Sequence, residues 1–258
     1  MILAILQARV SSSRLPGKVL KNILGEPMLF RQLERVKRAT SLDKLLVATS
    51  SDASDTPIES VCLDKGIPCF RGSLNDVLER FYQAAKSYQP EHVVRLTGDC
   101  PLADPDLIDQ VVAHHLAGNF DYTSSALEPT FPDGLDVEIF RFKCLGQAWL
   151  EAKLTSQREH VTLFIHQQPD LFKLGSFKGE HDLSELRWTV DEPADFELIT
   201  RIYEELYPAN PCFTTADILC WLKEHPDFIT FNTHFSRNEG LQKSLLMDCI
   251  PPNLTHKG

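Results

Sequence analysis

The 258 residues contain no C-x-x-C pair, no two glycines in G-x-G spacing, and no apolar run that approaches a membrane span. Each absence removes a class of function. Seven cysteines, an odd number, stand scattered at Cys62, Cys69, Cys100, Cys144, Cys212, Cys220 and Cys249. That spacing argues against a disulfide framework and against a thiolate zinc site. Lack of G-x-G removes the dinucleotide fingerprint and the kinase glycine loop. A Walker loop would need Gly at position 12 and Ser or Thr at 19, where Ser12 and Val19 stand. The apolar start is short and runs into charges, so no secretory leader is expected and the cytoplasm is the expected compartment. A formal charge of −10 lacks the basic excess that sequence-independent nucleic-acid binding requires. Neither nucleic acid nor membrane is an expected partner.

The cations that are present are concentrated. Residues 1–40 hold eight Arg or Lys against Glu26 and Glu34, a local balance of +6 in an acidic chain. Arg31, Arg35, Lys37 and Arg38 read as the wet face of a helix. Arg9, Arg14 and Lys18 stand instead in the loop that follows the apolar strand Ile2–Leu6, together with Ser11, Ser12 and Ser13. Cations, hydroxyls and exposed N–H groups on a rigid strand end form a grip for a polyphosphate.

Short apolar runs alternate with helical patterns, which predicts βαβ units on a mostly parallel sheet in an α/β fold. Strands are expected at Ile2–Leu6, Lys44–Thr49, Pro68–Phe70 and His92–Leu96. Helices are expected near Met28–Ala39, Thr56–Lys65 and Asn75–Tyr88. Asp104-Pro105 reads as N-cap and first residue of a helix to about Ala117, Pro193 opens one through Leu206, and Thr214–His225 forms another. Residues 120–190 look less regular, with strands near Asp121–Ser124, Leu135–Phe140 and Phe172–Phe177 and a helix near Gln157–Gln167. They read as a small mixed insertion in a nucleotide-binding domain spanning 1–235, with a polar tail at 236–258.

Asp99, in Arg95-Leu96-Thr97-Gly98-Asp99-Cys100-Pro101, follows a buried strand at the edge where open α/β sheets bind ligands. A second carboxylate, Asp191, stands in Arg187-Trp188-Thr189-Val190-Asp191-Glu192-Pro193. Asp76 and Arg80, spaced i,i+4, read first as an ordinary surface ion pair. Asp136 and Glu138 share one face of a strand after the Asp133-Gly134 turn.

The run Ala8-Arg9-Val10-Ser11-Ser12-Ser13-Arg14-Leu15-Pro16-Gly17-Lys18 resembles the first loop of the sugar-activating cytidylyltransferases, most closely the spore-coat-polysaccharide type. Further matches at 95–101, 132–138, 157–162 and 187–193 extend the resemblance over roughly residues 1–200. It implies a three-layer sandwich of the nucleotide-diphospho-sugar transferase kind and transfer of CMP from CTP to an acidic sugar, sugar phosphate or polyol phosphate. It also implies Mg²⁺ held by Asp99 and Asp191, release of pyrophosphate for surface polysaccharide synthesis, and a homodimer. Arg14, Lys18 and Asp99 become the catalytic candidates. The nucleotide-binding set is Gln7, Arg9, Ser11, Ser13, Arg14, Lys18, Ala48, Thr49, Arg71, Ser73, Asp76 and Thr97, with Arg71 and Ser73 reading the base. Asp133, Asp136, Glu138, Arg158 and His160 are the acceptor-side candidates. The sugar-acid branch has Gln where this chain has Thr97, a departure on the acceptor side. A nucleotide-sugar glycosyltransferase and a non-catalytic nucleotide-binding protein are the alternatives. The first would leave Leu15-Pro16-Gly17-Lys18 without a role, and its usual D-x-D is broken at Asp99-Cys100-Pro101.

Overall fold

A computed structural model describes residues 1–235 and 237–248; the end of the expected tail, including Cys249, lies outside the described residues. In chain order the elements are β1 (Ile2–Gln7), β2 (Asn22–Ile23), β3 (Glu26–Pro27), α1 (Met28–Val36), β4 (Lys44–Ser50), α2 (Thr56–Asp64), β5 (Cys69–Gly72), α3 (Val77–Lys86), β6 (His92–Thr97), α4 (Pro105–Gly118), β7 (Tyr122–Ser124), β8 (Glu138–Arg141), α5 (Phe142–Glu151), α6 (Thr155–Glu159), α7 (Leu163–His166), β9 (Leu174–Ser176), α8 (Pro193–Leu206), α9 (Thr215–Glu224) and α10 (Glu239–Asp248).

Seven strands form one sheet in the order β5-β4-β1-β6-β8-β7-β9, and β2 and β3 form a separate ribbon. β5, β4, β1 and β6 pair in parallel. β8 runs antiparallel to both β6 and β7, so it alone is reversed. The central strands are apolar on both faces because both are covered. Leu3, Ile5, Leu46, Ala48 and Val93 pack under α3 and α5, against Leu78, Phe81, Leu145 and Ala148. Their neighbours Ala4, Leu6, Val47, Val94 and Leu96 pack on the other side against Leu29 and Leu33 of α1, Ile108 and Val111 of α4, and Leu198 and Ile202 of α8. The alternation of side chains along each strand thus produces three layers, as expected. Parallel pairing brings the ends of β1, β4 and β6 to one edge, with Gln7 beside both Ala48 and Thr97.

Residues 120–190 are tied into this sheet: β7, β8 and β9 extend it beyond β6. The helix expected at 157–167 is broken into α6 and α7. Val161 stands between them with φ 44 and is fully buried, so the chain turns to place Val161, Phe164 and Ile165 in the core. Helix α5, with Cys144, Leu145 and Ala148 facing inward, was not expected, and neither was α10 in the polar tail.

Arg31 and Arg35 are buried, which corrects the reading of a wet helix face. Chain segments packed against α1 turn carbonyls toward it, and the two guanidinium groups supply donors. Arg31 donates to the carbonyls of Ile23 (3.0 Å) and Leu24 (2.7 Å). Arg35 donates to those of Ala103 (2.9 Å) and Phe213 (3.0 Å) and lies over the Phe213 ring.

α4 also carries a buried titratable group. His115 Nδ1 lies 2.9 Å from Thr123 Oγ1, and its Nε2 lies 3.1 Å from His92 Nδ1. Burial, with the neighbouring His92, pushes the His115 pKa down to about 3. The unfolded chain takes up this proton near pH 6.5 and the folded chain does not. Stability is therefore present above pH 6.5 and is lost as pH falls toward 3. Urea denaturation between pH 6 and 4 is expected to show the native protein losing about 1 kcal/mol per pH unit more than His115→Gln; parallel curves would remove His115 as the source.

Candidate active site

The loop after β1 is held by the chain's own hydrogen bonds. Val10 N donates to Asp55 Oδ1 (2.7 Å), and Asp55 is fully buried, with its other oxygen receiving Ser50 N. Ser12 N and Gly17 N both return to the Val10 carbonyl, at 2.8 and 3.0 Å, while Leu15 and Val19 enter the core. Gly17 sits at φ 70, a left-handed conformation that side chains resist, and opens a single 3-10 turn over Lys18–Leu20. That turn sends Lys18 back beneath the loop.

Lys18 Nζ contacts Asp99 Oδ2 at 3.1 Å, Asp191 Oδ1 at 2.9 Å and the Val190 carbonyl at 2.7 Å. Burial by itself would lower the Lys18 pKa, but the charges of Asp99 and Asp191 outweigh it and the net direction is upward. Burial would likewise raise Asp99, yet Lys18 opposite and the hydrogen bonds around it bring that carboxyl down to about 2. The two aspartates, ninety-two positions apart in the chain, meet because Val190 N donates to the Asp99 carbonyl at 2.8 Å, pinning the 187–191 segment against the end of β6. Arg14 joins the cluster through Asp191 (2.9 Å) and Glu192 (3.4 Å).

Asp99 and Asp191 line the walls of two adjoining cavities of ≈ 300 and ≈ 570 Å³. The charges of the two differ in sign. Arg9, Arg14, Lys18, Arg80, Arg95 and Lys243 line the smaller one with Ser12 and Ser13, against Asp99, Glu159 and Asp191. The larger one holds Asp99, Asp133, Asp136, Glu138, Asp191 and Glu239 against Arg14, Arg95 and Arg187.

Most expected residues fall on these walls. Gln7, Arg9, Ser13, Arg14, Lys18, Thr97, Asp99 and Asp191 line the smaller cavity, and Asp133, Asp136, Glu138 and His160 line the larger. Others are engaged elsewhere and line neither cavity. Arg71 donates to the carbonyls of Ser50 (3.0 Å) and Asp52 (2.7 Å) and pairs with Glu59 (2.8 Å). Ser73 Oγ accepts from Asp76 N, and the Ala48 carbonyl accepts from Ala8 N. Thr49 is fully buried, and Ser11 is absent from both walls. Asp76 caps α3 and accepts from Arg158, whose Nη1 also reaches the Trp149 carbonyl.

The Asp76–Arg80 surface pair does not form. Arg80 is only 2% exposed; it crosses to the Ser73 carbonyl (2.9 Å) and lines the smaller cavity. Burial and the charge of nearby Arg9 lower its pKa to about 10, which leaves it cationic at neutral pH. Arg95 and Arg187 were missed, although each had a signal: an arginine among apolar strand residues needs a buried partner. Arg95 finds Glu138, which also accepts from Tyr122 and Thr162. Arg187 finds Asp133 and Asp195, both at 2.9 Å. Asp133 reaches it because Gly134, at φ 109, lies where a Cβ would stand 2.4 Å from Thr189 N.

The donor set suits a divalent cation. Asp99 and Asp191 aim hard oxygens at one point where a positive charge, the Lys18 ammonium, already stands, and magnesium is commonly held by one or two carboxylates with phosphates and water completing the shell. Among the described residues no group of three Asp, Glu, His or Cys side chains could hold a metal alone. No helix among them is long and apolar enough to cross a membrane.

Known proteins resemble this chain in sequence and in fold. The chain is 37% identical over 235 residues to an uncharacterized protein of Methanocaldococcus jannaschii, covering 90% of this chain and 95% of that one. It is 31% identical to the spore coat polysaccharide biosynthesis protein SpsF of Bacillus subtilis, covering 89% and 97%. The structure of a cytidylyltransferase from Leptospira borgpetersenii superposes with a TM-score of 0.85 at 30% identity, over 92% of this chain and 99% of that one. A CMP:2-keto-3-deoxy-manno-octonic acid synthetase complexed with CTP shares the fold, with a TM-score of 0.62 at 16% identity over 79% and 98%. Residues 3–216 match the family model for cytidylyltransferases, and the chain belongs to that family.

Proposed function

We propose that this protein transfers CMP from CTP to an acidic sugar, sugar phosphate or polyol phosphate, with release of pyrophosphate, for surface polysaccharide synthesis. The carrying observation is the reversal of charge across the wall that contains Asp99 and Asp191: a cation-rich cavity on one side and a carboxylate-rich one on the other. A triphosphate fits the first. Burial lowers the Arg80 pKa and the charges of Arg9 and Arg95 lower it further; an anion among the three relieves that repulsion. A hydroxyl-bearing acceptor fits the second, because carboxylates accept bonds from hydroxyls.

In this reading the acceptor oxygen attacks the α-phosphorus from the larger cavity. A bond forms between that oxygen and phosphorus while the bond from the α-phosphorus to the α–β bridging oxygen breaks, and pyrophosphate departs along the smaller cavity. Arg14 and Lys18 bind the leaving charge, so positioning and electrostatics supply most of the acceleration. Asp99 and Asp191 would hold Mg²⁺, which when bound neutralises phosphate charge and orients the reacting oxygen. His160 lines both cavities, and burial lowers its pKa and keeps the imidazole neutral. Ser244 Oγ donates to Glu159 (2.7 Å), so it accepts from His160 Nε2–H and leaves Nδ1 as the basic nitrogen for the acceptor proton.

Pyrophosphate release, measured with CTP, ATP, GTP or UTP and a panel of acidic sugars, sugar phosphates and polyol phosphates, is expected only with CTP, an acceptor and Mg²⁺ together. Transfer from a nucleotide sugar instead would establish a glycosyltransferase. Lys18→Ala and Asp99→Asn are each expected to lower kcat at least hundredfold, about 2.7 kcal/mol of transition-state stabilisation, with unchanged circular dichroism. Near-native rates in either variant would remove that residue from the chemistry.

A further inference from the structure

The matched family region ends at residue 216, but the walls of the two cavities do not. Asn238, Glu239, Gly240 and Leu241 line the larger cavity, and Gly240 and Lys243 line the smaller. Helix α10 is fastened to α6 at two points. Ser244 Oγ reaches Glu159 and His160, and Ser156 N donates to Asp248 Oδ1 at 3.2 Å. Just before α10, Arg237 pairs with Asp136 and stands 3.6 Å from Asp133, with its Nη1 on the Phe131 carbonyl at 3.4 Å.

We infer that the segment Arg237–Asp248 is a wall of the catalytic cleft and that Arg237 determines how the larger cavity accepts its substrate. The inference rests on the cytidylyl-transfer reading for the identity of that substrate. Without Arg237, Asp136 would have no cationic partner among the described residues and Asp133 would keep only Arg187. The cavity would then lose a positive charge, and Asp136, whose carboxyl burial pushes up to about 7 against the pull of Arg237, would lose the partner that favours its ionised form. With Arg237 in place both carboxylates are paired, and Asp136 Oδ2 remains open to accept a hydroxyl. The substrate class this favours carries several hydroxyls beside its anionic group: the hydroxyls bond the carboxylates, and the arginine cancels the repulsion that an acidic group would meet. Arg237 acts by positioning and charge, away from the bond that forms.

The test uses the full chain with CTP, MgCl₂ and three acceptor probes: a 2-keto-3-deoxy sugar acid, an aldose 1-phosphate and a polyol phosphate. Arg237→Ala is expected to raise the KM of the preferred probe about tenfold while the KM for CTP stays within about twofold, and Arg237→Lys is expected to recover most of the loss. An unchanged acceptor KM, or equal rises for acceptor and CTP, would overturn the inference. Calorimetric binding of the same probes separates it from the transfer reading. Binding that weakens in Arg237→Ala while the native enzyme releases no pyrophosphate sustains the role of Arg237 and sinks transfer alone. Binding that Arg237→Ala leaves unaltered, or no binding of any probe by the native protein, overturns the role of Arg237.

Discussion

One buried ammonium organises the site. Lys18 holds together three pieces of chain remote in sequence: its own loop, the end of β6 at Asp99, and the 190–191 segment. A cation taken out of water needs partners for its charge and its protons, and this one has two carboxylates and a carbonyl. The arrangement is self-consistent, since Lys18 moves toward the charged form as Asp99 does. Removing Lys18 would leave Asp99 without a cationic partner among the described residues, so the geometry of the shared wall is determined by charge balance as much as by packing. The apolar anchors Leu15 and Val19 bring the loop to the sheet; the ion cluster decides where its side chains end.

That cluster also divides the cleft electrically. Arginines gathered on one side hold positions that mutual repulsion would open, and they stay because the Ser73 carbonyl, the Gln7 side-chain oxygen and the Glu138 carboxylate accept their hydrogen bonds. On the other side each lining arginine is matched to a carboxylate: Arg14 to Asp191, Arg95 to Glu138, Arg187 to Asp133. One compartment is therefore lined mainly by cations and the other mainly by carboxylates.

The sheet was readable from the sequence because its strands are apolar on both faces and its helices carry clear stripes; β1, β4, β6 and α8 fall where the patterns place them. Loop residues with chemistry were readable too, since Arg9, Arg14 and Lys18 had no apolar pattern to serve. What escaped were charges whose meaning depends on distant chain. Arg31 and Arg35 have the spacing of a wet face, and only the packing of Ala103 and Phe213 over α1 reveals carbonyls that need donors. Arg80 has an acid four residues earlier, yet Asp76 is claimed by Arg158 from eighty-two positions away. Arg71 likewise suits a ligand-reading role by type, but local carbonyls and Glu59 already occupy it. Helix α10 has too little apolar surface to signal itself, because much of what it covers is polar cleft.

The reversed direction of β8 has an evolutionary corollary. Since it opposes β6, its first residue, Glu138, sits beside Arg95 near the end of β6, and the peptide that feeds it, from Asp133 to Val137, must travel along the same rim. None of the feeder's residues pairs with the four parallel strands. A lineage could thus diversify what enters one compartment while inheriting the other unchanged.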